Sequence, residues 1–246
     1  MEIYVPPLLE LTGLSKSFGP ITVADELTYA VAQGEAVGVI GPNGAGKTSM
    51  FNLITGTMQP DRGEVRFDGE MVTRLSAQQR CRRGISRSFQ VPQPFGAMSV
   101  LENLLVAATQ GGGLHGAQAQ EQALLVLDQT GLLPKANVLA GSLTLLERKR
   151  LELARSLCTR PRLLLLDEIA GGLTDHECAQ LVETIQQIRK TGISIIWIEH
   201  IVHALLSVVD RLIVIDFGRL VAQGDPRETM DNAKVREIYL GMAVDA

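Results

Sequence analysis

The run Gly41-Pro42-Asn43-Gly44-Ala45-Gly46-Lys47-Thr48 fills a G-x-x-x-x-G-K-[ST] template. Backbone N–H groups in such a turn converge on one point, and glycine lets them approach an anion with no Cβ in the way. The chemistry expected here is capture of a polyphosphate by residues 41–48 and Ser49. Lys47 would neutralise the β- and γ-phosphates, and the Thr48 hydroxyl would ligate Mg²⁺.

A second group is acidic. Asp167-Glu168 closes the apolar run Leu163-Leu164-Leu165-Leu166, and strand ends are where α/β sheets present reactive groups. Asp167 suits a metal held through water, and Glu168 suits orienting an attacking water and accepting its proton late. His200 follows the apolar run Ser194–Ile198, where a ring N–H can bridge the γ-phosphate and Glu168. Gln90, in Ser88-Phe89-Gln90, offers an amide that can contact both Mg²⁺ and the water.

The elements around these residues follow from pattern. Ala36–Ile40 before the glycine turn reads as a buried strand, and Ser49–Ile54 after it reads as a helix. The first forty residues are β-rich, with turns at Phe18-Gly19-Pro20 and Gly34; Val65 and Phe67 alternate with charges before Asp68-Gly69. Ser76 can cap a short helix carrying Arg80, Arg82 and Arg83; with Arg87, these arginines are expected on a solvated face. From Met98 the texture turns helical. Ser99–Glu102 is a capping box, Gly111-Gly112-Gly113 breaks the pattern, 117–130 resumes it, and a third helix covers 145–157. Beyond 158, strands and helices alternate, with a capping box at Thr174–Glu177 and a hairpin turn at Asp216-Phe217-Gly218, which implies parallel strands.

Bulk properties narrow the classes. A net charge of −4 and 4% aromatic residues argue against nucleic acid as a ligand. Cys81, Cys158 and Cys178 are widely spaced and lack C-x-x-C pairing, which fits a reducing compartment and no metal site. Glu2, Pro6 and Pro7 do not make a leader pattern, and no apolar run approaches the roughly twenty residues of a membrane span.

Taken together, GPNGAGKT, SFQ at 88–90, LLLLDE at 163–168 and IEH at 198–200 resemble, in order, an ABC-type ATPase cassette. In detail the chain is similar to the ATP-binding subunits of branched-chain (hydrophobic) amino-acid and amide importers. Lys16–Gly19, Gly84–Gln90, Gly218–Gly224 and Ile238–Gly241 carry that closer likeness. The resemblance implies an α/β P-loop NTPase core with an N-terminal antiparallel β subdomain and an inserted all-helical subdomain. Residues 1–96 and 158–246 would form the core and about 97–157 the insert. It further implies that Phe18 stacks on adenine, that Gln90 is a lid glutamine facing a permease, and that His200 is a switch histidine. Two such subunits would sandwich two ATP molecules. Two permease subunits and an external solute-binding protein would complete the assembly at the cytoplasmic face of the inner membrane.

Two departures qualify that expectation. Where the family signature reads LSGGQ, this chain has Leu143-Thr144-Leu145-Leu146-Glu147. Thr144, Leu146 and Glu147 are the expected contacts to the opposite subunit's site; Thr144 keeps a hydroxyl, but the glycine positions carry leucine. Unequal sites in a heterodimer with a related cassette follow, with a homodimer as the alternative. Ile169 stands where the family has proline. Phe95, Met98, Val100 and Leu101 can either grip a permease loop or form the insert's own core. Alternatives to an importer subunit are a soluble ABC ATPase of repair or translation, a metabolic P-loop kinase and a non-hydrolysing regulatory cassette.

Overall fold

The computed structural model describes residues 6–240, so Glu2 and Gly241 lie outside the described residues. Two sheets meet across one helix. Strands β1 (Leu9–Phe18), β2 (Ile21–Val31), β4 (Arg62–Phe67) and β5 (Glu70–Met71) form an antiparallel sheet in the order β2-β1-β4-β5. β3 (Ala36–Ile40), β6 (Ile85–Arg87), β7 (Leu163–Asp167), β8 (Ser194–Ile198), β9 (Arg211–Asp216) and β10 (Arg219–Gly224) form the second, ordered β10-β9-β3-β8-β7-β6. Within it, β9, β3, β8, β7 and β6 are mutually parallel, and only β10 runs antiparallel.

Alternation along the parallel strands splits the core in two. Val37, Val39, Leu163 and Leu165 face the first sheet, where helix α1 (Lys47–Thr55) inserts Met50, Phe51, Leu53 and Ile54. Ala36, Ile40, Leu164 and Leu166 face the helices. A strand buried on both faces must read as an unbroken apolar run, which is why Leu163–Leu166 does so.

Helix α2 (Ala77–Arg82) starts at Ser76, which forms a capping box with Gln79. Its Arg80 is not on a solvated face. The side chain is fully buried, and its guanidinium donates to the carbonyls of Leu53 and Ile54 at 2.7 and 2.8 Å, of Thr73 at 2.7 Å and of Leu75 at 3.2 Å. The last carbonyls of α1 have no partner within that helix, and a five-donor cation satisfies two of them at once.

Between β6 and β7 come α3 (Val100–Val106), α4 (Gly116–Gln129) and α5 (Leu145–Cys158). α3 does not stop short of the glycines but runs on as a π-helical turn through Ala107–Gly111. Gly112 then passes so close to α5 that a Cβ would lie 2.8 Å from the Cys158 carbonyl. Leu104, Leu127 and Leu151 from these helices share one apolar cluster with Leu164, Leu166 and Trp197 of the sheet. Val100 is buried there and Leu101 packs against it, whereas Phe95 is exposed with the Arg155 guanidinium 5.3 Å from its ring centre. The chain is completed by α6 (Asp175–Arg189), α7 (Val202–Leu206), α8 (Pro226–Asp231) and α9 (Ala233–Leu240).

Candidate functional site

Four parallel strands lie side by side in the order β3-β8-β7-β6, so their C-terminal ends share one edge. The chain leaves β3 into Gly41–Gly46, β8 into Glu199-His200, β7 into Glu168, and β6 into Ser88-Phe89-Gln90. Parallel register alone therefore collects residues more than a hundred positions apart along one rim.

The glycine turn is shaped by close approach. Gly46 precedes α1 with φ 100°, and a Cβ there would sit 2.3 Å from the Val23 carbonyl. At Gly41 a Cβ would lie 2.1 Å from the Ile215 carbonyl. No side chain caps α1, so its first N–H groups open onto a cleft of about 290 Å³ lined by Val23, residues 43–49 and Glu168. Helix dipole and free N–H groups favour an anion there. Lys47 Nζ donates to the carbonyls of Gly41 at 2.6 Å and Pro42 at 2.9 Å, which holds the ammonium over the turn. Burial pushes Lys47 below the ordinary lysine range, and the charges of Glu168 and Asp167 oppose that shift.

Glu168 is the hub of the far side of the cleft. Its backbone is left-handed, φ 44°, a conformation that non-glycine residues seldom adopt. Its N–H is fixed on the Ile198 carbonyl at 2.8 Å. One carboxylate oxygen lies 2.6 Å from His200 Nε2, and the other accepts from Gln90 Nε2. The three residues drawn from separate motifs thus form one contiguous hydrogen-bonded group. Because the Gln90 amide nitrogen faces Glu168, its oxygen is left for another partner. Ile169, next in sequence, is buried in the helical-side core.

Thr48 lines both the glycine-turn cleft and an adjoining one of about 420 Å³ that also contains Arg87, Gln90 and Asp167. The Thr48 hydroxyl, the Gln90 amide oxygen and a carboxylate oxygen of Asp167 are hard oxygen donors on one cleft, a set that fits Mg²⁺. Asp167 is not free, however. Arg87, expected on a solvated face, has a side chain only 8% exposed, which donates to Asp167 Oδ2 at 2.5 Å and to Asn52 Oδ1 at 2.6 Å. Its guanidinium also lies 5.5 and 5.1 Å from the ring centres of Phe51 and Phe89. Nothing in the sequence separates Arg87 from its exposed neighbours.

Two expected regions stand apart from this cluster. Phe18 ends β1 at a hairpin tip, half exposed, with Lys16 Nζ 5.3 Å from its ring centre, and it does not line the glycine-turn cleft. Thr144 caps α5, accepting from the Glu147 N–H while the Glu147 carboxylate accepts the Thr144 N–H at 3.0 Å. Glu147 also pairs with Lys135, so its own charge occupies this helix N-terminus. Leu146 packs into the core cluster, and Leu145 is the exposed leucine of the pair.

A family model for the ABC transporter domain matches residues 24–171. The chain is 37% identical over 252 residues to the high-affinity branched-chain amino acid transport ATP-binding protein BraF of Pseudomonas aeruginosa, covering 96% of this chain and 99% of that one. It is 36% identical to the corresponding protein LivG of Escherichia coli, with the same coverage. A solved ADP conformation of an ATP-binding cassette of an ABC transporter superposes with a TM-score of 0.88 at 30% identity, over 97% of this chain and all of that chain.

Proposed function

The chain belongs to the ABC transporter family, and from that premise we propose how its residues divide the work of an importer for branched-chain amino acids or related small amides. It is an ATP-binding and ATP-hydrolysing subunit. In this reading residues 1–96 and 158–246 are the nucleotide-binding core and about 97–157 the helical insert. The turn at 41–49 and Lys47 bind the triphosphate, and Phe18 stacks on the adenine. Thr48, Gln90 and Asp167 would hold Mg²⁺, which would supply charge neutralisation to the phosphates.

Glu168 orients the attacking water and takes its proton; His200 steadies that carboxylate and reaches toward the γ-phosphate; Gln90 fixes the water from the other side. The carrying observation is that Glu168 is gripped on one oxygen by His200 and on the other by Gln90 at the mouth of the glycine-turn cleft.

The working unit is a pair of cassettes closed on two ATP molecules, joined to two permease subunits on the cytoplasmic face of the inner membrane and served by an external solute-binding protein. Among the described residues no helix is long and apolar enough to cross a membrane. Leu145 and the self-capped Thr144–Glu147 helix start support a heterodimer in which the ATP facing this signature turns over more slowly.

The test is reconstitution in vesicles with a permease and solute-binding protein of the branched-chain amino-acid type. Uptake of labelled leucine that needs ATP and is lost in Lys47→Ala supports the reading. ATP hydrolysis that never responds to permease or solute favours the soluble or regulatory cassette instead.

A further inference from the structure

Two side chains of opposite charge lie buried behind the hydrolytic group without touching the cleft. Lys149, on the inner face of α5, is 3% exposed, and Glu199, the residue before His200, is 1% exposed. Desolvating either ion is costly, and an apolar pair of similar volume in such a place is often as stable.

Their hydrogen bonds go to a narrow set of places. Lys149 Nζ donates to the Gln90 carbonyl at 2.6 Å and to the Glu168 carbonyl at 3.4 Å. The Glu199 carboxylate accepts the His200 N–H at 2.9 Å on one oxygen and the Ala170 N–H at 3.1 Å on the other. Backbone groups of all three hydrolytic residues are thereby engaged, while their side chains stay free to work. Burial pushes Lys149 below the ordinary lysine range, and the charges of Glu199, Glu168 and Glu152 oppose that shift.

The rest of α5 serves the same segment. Arg155 donates to the Glu152 carboxylate at 3.0 Å and to the Gln93 carbonyl at 3.1 Å, and Ser156 Oγ donates to the Arg87 carbonyl at 2.9 Å. Only Lys149 of this stripe also reaches the strand end that carries Glu168.

We propose that Lys149 and Glu199 are positioning residues of the hydrolytic reaction: two buried charges whose hydrogen bonds hold the backbones of Gln90, Glu168 and His200 in mutual register. The proposal rests on those three residues being the hydrolytic group. Phosphoryl transfer depends chiefly on placement, and an error near 1 Å can cost about a hundredfold in rate.

The experiment compares Lys149→Met, Lys149→Arg and Glu199→Gln in the assembled transporter, with Glu168→Gln as control. Lys149→Met is expected to lower kcat about a hundredfold while ATP affinity moves less than about threefold. Lys149→Arg, keeping charge and donors, should restore most of the turnover. Amide exchange across 168–171 and 199–201 should quicken by about tenfold in Lys149→Met, with the first sheet unchanged. Glu199→Gln has the same shape and carries the test if Lys149→Met does not fold; it should lower kcat by about tenfold or more.

Wild-type kcat in the foldable variants overturns the proposal, as does lost turnover with unaltered exchange at those amides. A Glu168→Gln transporter that hydrolyses normally overturns the site assignment itself. An inactive Glu168→Gln beside a normal Lys149→Met removes only the role of Lys149 and Glu199.

Discussion

His200 Nε2 and Glu168 Oε1 meet at 2.6 Å although they leave adjacent parallel strands thirty-two residues apart, and the left-handed turn at Glu168 is what swings the carboxylate into that meeting. Glu168→Gln keeps the shape and hydrogen-bonding capacity of the side chain but cannot accept the proton. Turnover should fall at least about a hundredfold with ATP affinity essentially unchanged. Single-turnover hydrolysis beside a nucleotide titration separates the two, and a variant cleaving ATP at the normal rate would remove Glu168 from its role.

Arg87 and Asp167 are a buried pair, 8% and 6% exposed. Arg87→Met strands a desolvated carboxylate, for which about 3–5 kcal/mol of destabilisation is expected by denaturant unfolding. Adding Asp167→Asn should restore much of the stability without restoring hydrolysis. A single variant losing less than about 1 kcal/mol would show that Asp167 finds another partner.

Arg80 and Arg82 sit on the same short helix, one buried and one exposed. Burial brings the Arg80 guanidinium down to about 10, well below its usual value, yet it stays charged near neutrality. Arg80→Met should cost about 3 kcal/mol because it leaves carbonyls at the end of α1 unpaired, whereas Arg82→Met should stay within about 0.5 kcal/mol. Urea titrations showing equal effects would contradict the assignment.

The cysteines differ in reach. Cys158 is buried, and desolvation pushes its thiol up to about 12, while Cys81 is half-buried and raised less. A raised thiol pKa leaves less thiolate, so alkylation at mildly alkaline pH should modify Cys81 slowly and spare Cys158 until urea is added. Mass spectrometry of native and unfolded samples decides it; labelling of Cys158 in the native chain would count against its burial.

Much of this architecture could be read from the chain. The glycine turn, the apolar run ending in Asp167-Glu168 and the capping boxes at Ser99 and Thr174 are local signals, and the elements follow them closely. What was hidden is non-local. β6 has only three residues, too few for a period, yet it is what brings Gln90 to the sheet edge. Arg80 and Arg87 read as surface charges because nothing nearby in sequence reveals the carbonyls and carboxylate that neutralise them. Thr144–Glu147 has capping-box spacing, and its side chains form that box at the start of α5.

The shared apolar cluster of Leu104, Leu127 and Leu151 with Leu164, Leu166 and Trp197 has a mechanical corollary. These helices pack on the sheet through interdigitated side chains, so any tilt of one against the other would proceed as a slide of one oily face over another, in steps set by side-chain interlock. Resistance to that slide would then govern how often the cassette resets, and trimming a single interlocking leucine would alter the rhythm of the cycle without altering its chemistry.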